Sequence, residues 1–206
     1  DTRVAEFGIA CEACHGPGQQ RVERHTAERT ALPDDALQTL RTSTDPTIVN
    51  PGLCDSKTSA QICGRCHSSS FATDPEDWLL GSGDTFVPGH DLAEERTVIR
   101  SPRRIALEHG EDPDLARPTY RNQAPELMQY MFWPDGLVRV SGREYNGLIE
   151  SPCFQRGEMS CVSCHSLHQS DPDDQLAAGM RGNQACYQCH AEYEEKLTEH
   201  THHSAD

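Results

Sequence analysis

Apolar positions are sparse along this chain, and they recur at a helical or strand period in only a few segments. Residues Gln19 to Leu32, charged at Arg21, Glu23, Arg24, Glu28 and Arg29, read as a helix stopped by Pro33. Ala124 to Trp133 is amphipathic. Beyond the turn Pro134-Asp135-Gly136, Leu137-Val138-Arg139-Val140 alternates, Ser141-Gly142 supplies a turn and Arg143-Glu144-Tyr145 returns, which predicts a short β-hairpin. Asp74-Pro75, Gly81-Ser82-Gly83 and Pro88-Gly89 break an acidic stretch into loops. Asn183 caps a predicted last helix running on to His200, His202 and His203. No run of about 18 apolar residues is present, so no transmembrane segment is expected. The pattern predicts a mainly α fold with long loops and one short β-hairpin, forming a single domain over residues 1–206.

Composition adds a problem to that picture. Of 206 residues only 35% are hydrophobic, and even with glycine counted the apolar share falls below the roughly 45–50% of an ordinary globular domain. Something other than side chains is expected to fill the core. The formal net charge of −15 argues against nucleic acid or an anionic membrane surface, since both demand basic patches. A partner with a basic docking face suits it better.

The ten cysteines address the shortfall. Eight of them fall into four copies of C-x-x-C-H: Cys11, Cys14 and His15; Cys63, Cys66 and His67; Cys161, Cys164 and His165; Cys186, Cys189 and His190. Two thiols on one helical turn reach the two vinyl groups of a protoporphyrin, and the histidine that follows offers its imidazole to the iron. The competing reading is a zinc ribbon, which has no need of a histidine after every second cysteine. A thioredoxin-like redox site needs one pair beside a βαβ pattern, and none is present. The expected cofactors are therefore four haem c groups with iron, attached at residues 11–15, 63–67, 161–165 and 186–190. A spacer over 68–160 separates the first two motifs from the last two. Porphyrin faces supply the missing apolar surface, giving a haem-packed core.

Seven of the eleven histidines remain as sixth ligands: His25, His90, His109, His168, His200, His202 and His203. Met128, Met131, Met159 and Met180 are the alternative, with Met128 and Met131 better suited to core filling. Bis-His ligation is the default. His168 follows His165 by about one turn, so it is poorly placed for its own haem and well placed for a neighbour. His25 sits on the Gln19 helix beyond the turn Gly16-Pro17-Gly18, which lets that helix fold back. His200 lies about 15 Å of helix beyond His190 and shares a face with His203, whereas His202 points elsewhere. His90 and His109 lie in loop-like sequence. The aromatics Tyr120, Tyr130, Phe132, Trp133, Tyr145 and Phe154 read as packing around haem edges.

Cys54 and Cys153 belong to no motif. Haem is attached outside the bacterial cytoplasm, where disulfides persist. A Cys54 to Cys153 bridge is the simplest reading, closing a loop worth up to about 4.7 kcal/mol on the chain-entropy model. A thiolate ligand to iron or a free buried thiol are the alternatives.

Several strings resemble one family: Gly8-Ile-Ala-Cys11-Glu-Ala-Cys14-His15-Gly16-Pro17-Gly18, Phe132-Trp133-Pro134-Asp135-Gly136 on to Tyr145, Gly157-Glu-Met-Ser-Cys161 on to His168, and His200-Thr201-His202-His203. They are similar to the periplasmic multihaem cytochromes c, and more narrowly to the branch related to the tetrahaem electron acceptor of hydroxylamine oxidoreductase and to pentahaem nitrite reductase. The resemblance implies bis-His haems in stacked and perpendicular pairs, with His25, His168 and the terminal His cluster as cross-ligands. It also implies a further C-x-x-C-H after that cluster, so this sequence is expected to be part of a longer chain.

The function expected is electron transfer, passing single electrons between haems in the periplasm or at the cell surface. A multihaem oxidoreductase acting on a small nitrogen compound would need an open haem. Nitrite reductases of this group use a lysine where all four motifs here have histidine, and Tyr145, Tyr187 and Tyr193 show no signal of a haem cross-link. No catalytic residue is expected. The remaining alternative is a polymeric extracellular cytochrome, self-assembling by ligation from His200 or His203 to a haem of the next subunit.

Overall fold

The computed structural model describes residues 9–31, 33, 45–112, 125–139, 142–168 and 175–204, with the side chains of 125–127 left aside. Ala124, Tyr120, Leu32, Val140 and Ser141 lie outside the described residues. The chain is mainly helical with one short antiparallel sheet of two strands, and it divides into two compact units, Asp1–Ser160 and Cys161–Asp206.

In the first unit the helices are short because capping residues and prolines start them and glycines or turns stop them. Asp55 accepts from Thr58 N at 3.0 Å to open Ser56–Gly64. Asp74 accepts from the Glu76 and Asp77 amides to open Pro75–Leu80, and Ser151 accepts from Phe154 N at 3.2 Å to open Pro152–Gln155. The longest helix, Gln19–Ala31, ends one residue short of the expected bound. None of its side chains is buried. It is supported by polar pairs one turn apart, Gln19 with Glu23 and Arg24 with Glu28, each at 2.8 Å.

The sheet pairs β1 (Ser70–Ala72) with β2 (Arg96–Val98), with Phe71 opposite Thr97. Against it packs a buried cluster of Ile99, Met128, Met131 and Phe132, with Phe71 and Val138 at its edge. Met128 and Met131 are thus core filler. A buried amide stitches this core to the second motif. Asn146, 2% exposed, accepts from Ser69 N at 2.8 Å and donates to Ser69 O at 3.0 Å and Ile99 O at 2.7 Å.

The hairpin predicted over 137–145 does not form. Val138 pairs with Phe132 across the Pro134-Asp135-Gly136 turn in an isolated bridge, and the returning arm belongs to a helix, Glu144–Leu148. Tyr145 and Asn146 are both buried. Two adjacent residues facing the interior suit a helix end and contradict the period of two that a strand requires.

The second unit contains no buried residue among those described. Its elements are single turns: Cys161–Ser163, Gln184–Tyr187, Ala191–Tyr193 and Leu197–Thr201. The continuous last helix expected from Asn183 is broken into three pieces. Asn183 is itself helical and makes no side-chain cap, and Leu197–Thr201 closes at His202 in the left-handed region, φ 59°. His203 therefore lies past the helix end, and the expected shared face with His200 is lost.

Candidate functional site

All four C-x-x-C-H segments adopt the same backbone turn. In each, the first cysteine's carbonyl accepts from both the second cysteine's amide and the histidine's amide. The two distances are 3.2 and 3.0 Å at Cys11, 3.1 and 2.8 Å at Cys63, 3.2 and 3.0 Å at Cys161, and 3.2 and 3.0 Å at Cys186. One turn thus carries two thiols and an imidazole. None of the ten cysteines is in a disulfide, and among the described residues no three His, Cys, Asp or Glu side chains are arranged to hold a metal ion directly. A zinc ribbon asks for four converging ligands.

The first two histidines are held by their Nδ1 atoms. His15 Nδ1 lies 2.6 Å from Val49 O, and Val49 N donates back to His15 O at 2.9 Å. A carbonyl only accepts, so Nδ1 carries the proton, and in the neutral ring the lone pair is then on Nε2. His67 Nδ1 lies 3.0 Å from Glu144 Oε2. Burial, the largest single influence, would raise the Glu144 carboxyl, but the hydrogen bond from His67, the backbone amides of Glu144 and Gly142 and the His67 charge together hold the group below its ordinary value. The backbone around His67 is clamped as well, because Tyr145 N donates to His67 O at 3.0 Å.

The Tyr145 ring lies flat against Gly64, where an added Cβ would stand 2.7 to 2.9 Å from ring carbons. Gly64→Ala will therefore push the ring off the motif and destabilise the first unit by about 1–3 kcal/mol. A urea titration of the intact protein showing an unchanged midpoint would contradict that close approach.

The motifs of each unit are neighbours. The Cys14 thiol is pushed up first by burial and then by the nearby Cys63 and Cys66, which places the first two attachment turns side by side. Arg65, between Cys63 and Cys66, donates to Asp84 at 3.0 Å, and Arg96 joins it at 2.9 Å. Partial burial would raise Asp84, but the two guanidinium bonds win and hold it below its ordinary range. In the second unit Gln188 Nε2 reaches Cys164 Sγ at 3.6 Å. The chain returns there to bridge Leu176 with His165, with Ser166 N on Gln175 O and Ala177 N on Cys164 O, both at 2.9 Å. That return, rather than a continuing helix, follows His165, so His168 is not one turn further along the same helix. His190 stacks on Tyr193 with centroids 5.7 Å apart, and Tyr193 stacks on His200 at 4.0 Å. Breaking the last helix brings His200 to the fourth motif instead of 15 Å away.

The other expected positions are placed as follows. His25 has both ring nitrogens on carboxylates, Nε2 at 2.9 Å from Asp45 and Nδ1 at 3.2 Å from Glu28. Asp45 is a hub that also accepts from Arg21 at 2.8 Å and from Thr47, whose hydroxyl is the main cause holding its carboxyl far below the ordinary range. His90 closes a turn on Val87 O and His109 caps Pro102–Glu108. Cys54 and Cys153, expected as a bridged pair, are not joined. Cys54 Sγ donates to Asn50 O at 3.3 Å, and burial, with Asp55 beside it, raises its pKa; Cys153 is exposed. Of the aromatics, Trp133 and Tyr130 carry Arg139 and Arg143 over their rings at 4.0 and 5.1 Å.

Val49, Asp45 and Glu144 had no signal in the sequence, because they meet their histidines only through the fold. The residues fit a covalently attached porphyrin: paired thiols and an imidazole carried on one turn. Such a group supplies one-electron exchange at its iron. No helix among the described residues is long and apolar enough to cross a membrane. No curated protein and no solved structure matches the chain. Residues 153–195 match the family described as the doubled CXXCH motif, and that paired motif indicates a multihaem c-type cytochrome.

Proposed function

We propose that this protein is an electron-transfer cytochrome carrying four covalent c-type haems, one on each C-x-x-C-H turn. The observation that supports this most is the shared turn at all four motifs, with the second cysteine's amide and the histidine amide both bonded to the first cysteine's carbonyl. The side-by-side motifs within each unit favour closely spaced cofactors, which is what rapid exchange of single electrons needs. His15, His67, His165 and His190 are the proximal ligands, and His25, His168, His200 and His203 the sixth ligands. His25 takes that role by exchanging its Nε2 contact with Asp45 for iron. The protein works outside the cytoplasm, in the periplasm or at the cell surface, and meets partners through a basic docking face complementary to its net charge of −15. The branch that includes the electron acceptor of hydroxylamine oxidoreductase is the functional analogy this proposal adopts.

Intact-protein mass spectrometry will find the polypeptide heavier by four haem groups, and the reduced-minus-oxidised spectrum will show low-spin bands alone. Fewer attached haems would remove the count. A high-spin band or carbon monoxide binding would replace the carrier by an enzyme with an open iron site.

A further inference from the structure

The two proximal histidines of the first unit are held by acceptors of different charge. His15 donates to the neutral carbonyl of Val49, and His67 to the carboxylate of Glu144. Glu144 is itself anchored: its other oxygen accepts from Gly142 N at 2.9 Å. The next two residues bind His67 O, Ser69 and Ile99 O. Three consecutive side chains and amides, Glu144 to Asn146, thus clamp the second motif from a distance of 77 residues along the chain.

An anionic acceptor on Nδ1 draws the proton away from the ring and makes Nε2 a stronger donor, more so than a neutral carbonyl does. A stronger donor favours the ferric over the ferrous ion, and hydrogen bonding around the axial ligand is one of the protein's means of setting haem potential. As an exposed ion pair the contact adds little stability. Its consequence is electronic.

We propose that Glu144 is a positioning residue that lowers the reduction potential of the haem held by Cys63 and Cys66, by fixing the tautomer and orientation of the His67 ring and strengthening its Nε2 as an electron donor to iron. This rests on the haem reading above. This contribution biases a single electron shared by the first unit towards the site of His15.

The test is a potentiometric titration of the holoprotein, followed haem by haem through ring-methyl resonances in NMR. Glu144→Gln keeps the shape and removes the charge. The haem on the second motif is expected to shift about tenfold in its reduction equilibrium towards the ferrous form, ~59 mV upward for a one-electron couple, while the others move far less. Glu144→Asp, whose shorter side chain falls short of Nδ1, shifts the same haem upward by a smaller amount and serves if the first variant does not accumulate. Glu111→Gln, which removes an exposed charge elsewhere, controls for net charge. An unmoved potential, or a shift no larger than that of Glu111→Gln, overturns the role of Glu144. Wild-type protein without attached haem would instead overturn the haem reading itself.

Discussion

Protein made without haem will show no protected amides in residues 175–204 when hydrogen exchange is followed by mass spectrometry. None of the described residues beyond Ser160 is buried, and the elements there are single turns of three to five residues. Isolated helical turns of that length are far below the length at which a helix holds itself in water, and no side-chain core is there to offset the chain entropy. The first unit differs, because Ile99, Met128, Met131 and Phe132 form a buried cluster of their own. In the haem-free protein this cluster will retain the slowest-exchanging amides of the chain. Cooperative protection of the Gln184–Tyr187 and Leu197–Thr201 turns without haem would show that the second unit has a source of stability other than cofactor.

Asn146→Ala will be the most damaging single substitution away from the attachment residues. The side chain is 2% exposed and satisfies one amide and two carbonyls. Removing it strands three backbone groups and leaves a small void, at a cost on the order of 3 kcal/mol. Ser69 lies two residues past His67, so the loss also loosens the second motif. Asn146→Asp is expected to do nearly as badly, since a carboxylate facing the carbonyls of Ser69 and Ile99 repels both. Urea midpoints of the intact protein measure the stability loss, and the haem content of the purified variants measures the loosening. A midpoint within experimental error of wild type would mean that water replaces the amide.

What was readable in advance tracks how local each cause is. The Gln19 helix was found because its stop is a proline next to it in the chain. The hairpin over 137–145 was misread. Alternation at Leu137 to Val140 is a real local signal, but Tyr145 is claimed by Gly64 and Asn146 by Ser69 and Ile99, and that demand makes the returning arm a helix. The last helix was misread for the opposite reason. A capping asparagine suggested one rod, yet no buried stripe exists to hold a long helix together there, and the chain breaks into turns that stack His190, Tyr193 and His200.

By itself the sequence determined the candidate chemistry: four C-x-x-C-H motifs whose thiols and imidazoles suit covalent haem, and a net charge of −15 that argues against nucleic acid. Each motif is written in five adjacent residues, so no fold is needed to read it. The tertiary structure alone decided what surrounds each imidazole. Val49 lies 34 residues from His15, Asp45 lies 20 from His25 and Glu144 lies 77 from His67. Hydrogen-bond partners so far apart leave no periodic or local trace, because they are chosen by the packing that brings distant backbone together.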